Sequence, residues 1–383
     1  MKEIRTAIIG VGNCASSLVQ GRYYYDDPDD EIPGLITRNF SGYRARDIRF
    51  AAAFDVDERK VGLDLARAIF APPNCTTAFF PEVPKTGISV EMGYAIDSLA
   101  GLNGEFPEAA RCKPRSNIYA DAVEAKAAIA RQLRDAAVEV VVNYLPVGSE
   151  KNTLFYADCA LEAGCAFVNA VPVFVSRIYG HRFREAGLPL LGDDVKSQVG
   201  ATIIHRALAK LFEDRGQPVK RTYQFNMGGN TDFMSMLDRT RLESKRISKT
   251  ESVISQMGPR GIEPENIHIG PSDYVPWLRD NKLCFLRIEA EQFGGVPMHL
   301  EARLSVEDSP NSAGVIVDAI RAAKVALDRK LAGPIPEASA YLFKSPPEQI
   351  EDSRAREMLR EFAKPTPAEE TASSGAKRSA AEA

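Results

Sequence analysis

One stretch near the start of the chain constrains the fold more than any other. Residues 4–10, IRTAIIG, read as a buried strand running into a glycine turn, Gly10-Val11-Gly12-Asn13-Cys14-Ala15, which opens a helical pattern to about Gln20. Strand, G-x-G-x-x-G/A turn and helix, in that order, are the parts of a dinucleotide-binding βα unit. Gly10 permits the tight turn, Gly12 leaves room for a pyrophosphate against the backbone, and Ala15 lets helix and sheet pack closely. The first N–H groups of the helix then face the phosphates. The next apolar run, IRFAAAFDVD, places Asp55 at its end, an acid suited to the ribose hydroxyls of NAD rather than to NADP. Asp55 lies about 40 residues beyond the turn, where about 20 is usual. The acidic, turn-rich loop at 21–47 accounts for the excess. The same residues also suit a plain structural turn with Asp55 as a helix cap. Asp64 fits either a helix surface or the border of an adenine site.

Beyond this unit the chain alternates. Helical patterns over 58–70, 121–136, 149–163 and near 177–186 are interleaved with apolar runs at 138–146, 165–172 and 188–194, while 71–116 is rich in Pro and Gly and resists assignment. Such alternation implies βαβ units and a mostly parallel sheet. After about residue 220 the pattern changes. A strand at 221–229 and a largely helical stretch at 235–257 lead into two runs on either side of Gly294-Gly295 in which every second residue is apolar. In the first, Leu286, Ile288 and Ala290 face one way and Arg287, Glu289 and Glu291 the other, the mark of antiparallel strands with one solvated face. A helix over 311–330, with Ser309 as N-cap and Pro310 at its first position, should return to the first domain. The expected class is α/β: a Rossmann-type doubly wound parallel sheet (1–220 plus 310–363) with an inserted α+β catalytic and oligomerisation domain (221–309). The tail at 364–383 is polar and expected to be disordered.

Composition removes several function classes. Lys plus Arg is 48 against 52 Asp plus Glu, a net charge of −4 that argues against general nucleic-acid binding. No apolar run approaches the ~18 residues of a membrane span, and the N-terminal residues lack a signal-peptide pattern. Six cysteines without a C-x-x-C pair read as reduced thiols of a cytoplasmic protein. Four scattered histidines exclude a histidine-rich metal site; a hard cation held by carboxylates and water stays open, its identity unknown.

A second set of residues carries chemistry. Asp193-Asp194-Val195-Lys196-Ser197 closes a buried strand, where parallel sheets bind ligands and where an acid equally caps a helix. Asn226-Met227-Gly228-Gly229-Asn230-Thr231-Asp232 suits either a close approach to a ligand or a simple turn. Lys245 and Lys249 lie i, i+4 on one helical face, a spacing equally usual on a solvated surface. Lys282 precedes a strand, Lys344 sits among apolar residues in YLFKSPP, and Asp308 suits a helix cap.

The segments GVGNCASSLVQG, NYLPVGSE, GDDVKSQVGAT, GGNTDF, ESKRISKT, IGPSDY, EDSPNSAGVIVDA and YLFKSPPEQ, in this order, resemble the myo-inositol-1-phosphate synthase family in its shorter bacterial form. The resemblance runs from residue 4 to about 350. It implies NAD-dependent conversion of glucose 6-phosphate to inositol phosphate: oxidation at C5, enolisation, ring closure and reduction, with no net redox. It also implies a homotetramer. Position by position, Lys245, Lys249, Lys282 and Lys344 match the family's active-site lysines, and Asp194 and Asp308 its active-site aspartates. Lys282 and Lys344 would share proton transfer and oxyanion stabilisation, Lys245 would bridge nicotinamide and substrate, and Lys249 would hold phosphate or enolate. Gly10 to Cys14, Asp55, Asp194, Ser197, Asn230, Thr231 and Asp232 would line the NAD site. Thr231 stands where longer relatives have a second asparagine. Lys196 matches none of the active-site lysines. The competing reading is an NAD-dependent sugar or amino-acid dehydrogenase that releases NADH.

Overall fold

The computed structural model describes residues 2–26, 34–96, 111–237, 253–254 and 262–366. At its centre β1 (Ile4–Ile9) lies between β2 (Ile48–Asp55) and β4 (Val140–Asn143), parallel to both. β3 (Val90–Met92) extends the sheet beyond β2; β5 (Ala166–Asn169), β6 (Pro189–Leu191) and β11 (Gly333–Pro334) extend it beyond β4. The order is β11-β6-β5-β4-β1-β2-β3 with every pairing parallel. All four residues of β4 and all four of β5 are buried, because helices cover both faces of the sheet. Ile4 and Ile8 of β1 point into a core shared with α1 (Asn13–Tyr24) and α8 (Asp308–Asp328). Ala7 and Ile9 point into the opposite core, with α3 (Ala122–Asp135), α4 (Glu150–Ala163) and α5 (Val175–Glu185).

After α6 (Ala201–Asp214) the chain builds a second sheet of order β10-β9-β7-β8. β7 (Val219–Gly228) and β10 (Pro297–Glu307) both run antiparallel to β9 (Asn281–Glu291). Along β9 the alternation is realised as read: Cys284, Leu286, Ile288 and Ala290 are buried. Ile288 and Ala290 pack with Phe212 of α6 and with Met298 and Leu300 of β10.

Several expectations need correction. The second sheet is mixed rather than antiparallel, since β8 (Ile267–Tyr274) runs parallel to β7. Its sequence, IHIGPSDY, has neither sustained alternation nor a continuous apolar run, so its pairing is decided by β7. The helix at 58–70 shrinks to α2 (Leu65–Ala68) after turns, and β3 emerges from the unassigned stretch. Helix α8 begins at Asp308, with Glu307 rather than Ser309 at its N-cap. The reason is a distant carboxylate: Asp280 accepts the Ser309 N–H at 3.1 Å and its hydroxyl at 2.9 Å, satisfying the first turn from outside. Most of the stretch expected to be helical at 235–257, and the tail from 367, lie outside the described residues. Among the described residues no helix is long and apolar enough to cross a membrane.

Candidate active site

The carboxyl ends of β1, β2 and β4 and the polar end of the second sheet enclose one large cavity, about 380 Å³ in volume. It lies where the strand order reverses, at β1 and β4, the place where doubly wound sheets bind ligands. Gly10, Gly12, Asn13, Cys14, Asp55, Asp194, Ser197, Asn230, Thr231, Asp232, Lys282, Asp308 and Lys344 all line it. Val11 and Asp64 do not. Asp64 caps α2, accepting from Ala66 N at 2.9 Å, and also takes hydrogen bonds from Thr86 and Gly87. Lys245 and Lys249 lie outside the described residues.

The glycine turn has the geometry a pyrophosphate needs. Gly10 has φ 87°, and a Cβ there would sit 2.9 Å from the Tyr144 carbonyl oxygen. A Cβ on Gly12 would meet nothing within 4 Å, so the backbone is open toward the cavity. Gly12 is also the N-cap of α1 and brings no side chain to its first N–H groups. Asp55 braces this turn. Its Oδ2 accepts Val11 N at 2.7 Å, and its Oδ1 accepts Val56 N at 2.7 Å and Asp57 N at 2.9 Å. With about four lone-pair positions on a carboxylate, Asp55 keeps capacity for a ribose hydroxyl. The amide oxygen of Asn13 holds the loop at Cys75 and Thr76 at 2.7 and 3.1 Å. Burial pushes the Cys14 thiol up to about 12, against the lowering effect of Ser312, so it is a neutral wall of the site.

Two lysine–aspartate pairs face the same space. Lys344 donates to Asp194 Oδ1 at 2.8 Å. The two are brought together by a backbone zipper: Lys344 N donates to Asp194 O at 2.7 Å, while Ser345 and Asp193 exchange hydrogen bonds at 2.9 and 3.0 Å. Asp194 itself has φ 60°, an unusual conformation for a non-glycine residue, held by this zipper. Lys282 donates to Asp308 Oδ1 at 3.1 Å, from the start of β9 to the first residue of α8. Burial opposes the charge on Lys282, but the Asp308 carboxylate outweighs it and holds the ammonium above its ordinary range. The side walls carry two unpartnered polar atoms, Tyr144 Oη and Asn226 Nδ2. A third open group is the N-terminus of the 14-residue α6. Gly200 gives it no side-chain cap, and Ala201 and Thr202 line the cavity.

Comparison with known proteins shows which family the chain belongs to. Residues 200–309 match the family model of myo-inositol-1-phosphate synthase. The inositol-3-phosphate synthase of Mycolicibacterium smegmatis is 52% identical over 371 residues, covering 94% of this chain and 98% of that one. The chain belongs to the inositol-3-phosphate synthase family. The synthase of Corynebacterium glutamicum is 53% identical over 367 residues, again covering 94% of this chain and 98% of its own. A crystal structure of a myo-inositol-1-phosphate synthase-related protein from Thermotoga maritima superposes with a TM-score of 0.80 at 25% identity, covering 95% of this chain and 100% of that one.

Three features of this inositol-3-phosphate synthase family member are invisible to pattern reading. Asp280 is 1% exposed and accepts Asn230 Nδ2 at 2.8 Å as well as both Ser309 donors. Burial, with help from the Asp308 charge, raises it to about 6. Asp280 thus ties the loop after β7 to the start of α8. Lys60, within the stretch expected to be helical at 58–70, is 3% exposed against the glycine turn. Lys196, which matched no active-site lysine, is 2% exposed. Its Nζ donates to Ala340 O at 2.8 Å and Asp352 Oδ1 at 3.3 Å. Asp352 opens α10 (Asp352–Phe362) and also receives Arg206 of α6 at 2.7 and 2.8 Å. Burial, then the nearby Arg206 charge, lowers Lys196 to about 7. Only an i, i+n pattern can expose such residues in a sequence, and these partners are brought together by tertiary packing alone. Among the described residues no group of three His, Cys, Asp or Glu side chains is arranged to hold a metal ion.

Proposed function

We propose that this chain converts D-glucose 6-phosphate to 1D-myo-inositol 3-phosphate (L-myo-inositol 1-phosphate) with no net redox, as the synthase family's name implies. The observation that carries the reading is the pair Lys344–Asp194 and Lys282–Asp308 facing a cavity that opens onto the glycine turn. NAD⁺ bound there would supply the hydride acceptor for C5 and the hydride donor for the closing reduction. The open Gly12 backbone and uncapped α1 take its pyrophosphate, and Asp55 accepts a ribose hydroxyl.

The protein's own groups handle protons and charge. Lys282, held charged by Asp308, provides standing positive charge for an oxyanion at C5 and for the enolate that forms after a C6 proton leaves. Lys344 passes the C5 hydroxyl proton, with Asp194 as its partner at 2.8 Å. The N-terminus of α6 takes the sugar phosphate; the resemblance alone assigns Lys249 to phosphate or enolate and Lys245 to a bridge between nicotinamide and sugar. The C5 ketone acidifies C6, C6 attacks the C1 aldehyde as the C1 oxygen takes up a proton equivalent to the one C6 released, and reduction of C5 closes the cycle. Phosphorus NMR of a reaction given glucose 6-phosphate and NAD⁺ should show inositol phosphate with no rise in absorbance at 340 nm. Stoichiometric NADH accumulation would instead establish a dehydrogenase.

The exposed face of the second sheet supports the expected homotetramer. Phe225 and Phe285 are 43% and 38% exposed, and the Phe225 ring packs at a tilt against Tyr223 and His268, with centroids 5.0 and 5.5 Å away. A second copy of this chain would cover that face, with the cytoplasm, where the six free thiols stay reduced, as the setting. Light scattering should give about four times 41.9 kDa. A stable monomer at micromolar concentration would rule the assembly out.

A further inference from the structure

Lys60 is a buried cation that none of the assigned chemistry uses. Its Nζ donates to Val11 O at 2.7 Å and to Asn74 Oδ1 at 2.9 Å, and lies 3.9 Å from Asp55 Oδ2. Asn74 Nδ2 donates to the same Val11 carbonyl at 3.1 Å. From the other side, Asp55 Oδ2 accepts Val11 N at 2.7 Å. The central residue of the glycine turn is therefore clamped at both of its backbone polar groups.

One of those groups matters beyond the turn. The Val11 carbonyl and the Gly12 N–H belong to a single planar trans peptide, so they point in opposite directions. With the carbonyl held down on Lys60, the Gly12 N–H is aimed the other way, and Gly12 lines the cavity. A cation on the carbonyl oxygen also polarises the peptide, strengthening its N–H as a donor. We propose that Lys60 is a positioning residue of the cofactor site: it aims the Gly12 N–H at the dinucleotide pyrophosphate, balances Asp55, and so sets affinity for NAD without taking part in the sugar chemistry. The proposal rests on the dinucleotide reading of this cavity.

The test uses the full-length protein and NAD⁺ titrated by calorimetry with no sugar present, alongside steady-state kinetics. Loss of a buried, charge-assisted hydrogen bond predicts a dissociation constant about 10–100-fold weaker in Lys60→Met. The KM for NAD⁺ rises with it. Turnover at saturating NAD⁺ and the KM for glucose 6-phosphate stay within about threefold, as for loss of uniform binding. Lys60→Gln, which keeps an amide donor and removes the charge, falls between Lys60→Met and wild type. If Lys60→Met fails to fold by circular dichroism, Lys60→Gln carries the test alone. A dissociation constant unchanged within about twofold in the folded variant, or a loss confined to turnover, overturns the proposal. A wild-type chain that binds no NAD⁺ overturns the dinucleotide reading itself, and is a separate outcome.

Discussion

Lys344→Ala is expected to reduce inositol phosphate formation by about 10²–10⁴-fold, the range for losing a positioned proton-transfer group. Lys282→Ala should cost about 10²–10³-fold as a lost electrostatic donor. NAD⁺ should still bind both variants, because neither ammonium touches the glycine turn or Asp55. The two losses should differ in kind. Lys344 is tied to Asp194 by one side-chain bond, while the zipper that shapes the loop is backbone and survives the substitution. Removing Lys282 leaves Asp308 unpaired beside Asp280, a carboxylate already raised to about 6 by burial and by Asp308. That variant should therefore also shift the acid limb of its pH profile upward, as Asp280, beside an Asp308 charge no longer offset by Lys282, holds its proton more strongly. Product measured by phosphorus NMR at saturating NAD⁺ checks both, and either variant keeping more than about a tenth of wild-type turnover removes that lysine from its role.

Asp352→Ala should lower stability by about 1.5–3 kcal/mol in denaturant unfolding at neutral pH, the cost of losing charge-assisted hydrogen bonds at a carboxylate whose side chain is 31% exposed. Arg206 is fully buried and cannot shed its proton, and the substitution takes away the carboxylate that receives it at 2.7 and 2.8 Å. Lys196 can shed its own, at about 7. The pH dependence follows from the signs. Burial opposes the charge on Asp352, yet Arg206 and Lys196 hold it below the usual carboxylate range. Its stabilising contribution is thus present above 3.8 and lost as pH falls through the lowered value. Lys196 gives the same slope in a higher window. Its folded value lies below its ordinary 10.5, so its contribution to stability increases from about pH 7 toward 10.5. An Asp352→Ala midpoint shifted by less than about 1 kcal/mol would show that the cluster relaxes.

What could be read in advance divides along a physical line. The β1–turn–α1 unit and the strands β4 and β5 were legible because burial on both faces demands continuous apolar runs, and the turn demands glycine where φ is 87°. The alternation of β9 was legible for the same reason, one solvated face. β8 was not, because its place is decided by the strand beside it. In the site, the family's aspartates and lysines were reached only through resemblance: Lys344 and Asp194 are 150 residues apart, and no spacing rule joins them. Asp280 and Lys60 escaped both routes, since an acid or a lysine in a polar stretch looks solvated until packing buries it.

The zipper between Asp193 and Ser345 also has a temporal meaning. It delivers the Lys344 amine to a site whose other walls, from Gly10 to Asp308, are all encoded earlier in the chain. During synthesis the glycine turn and Asp55 are made long before Lys344. A polypeptide ending ahead of that segment lacks the Lys344 amine, the backbone partner that holds Asp194, and the core residues Phe343, Leu359 and Phe362 that pack with Ile4, Ile8 and Val11, so competence arrives as one late event rather than by degrees.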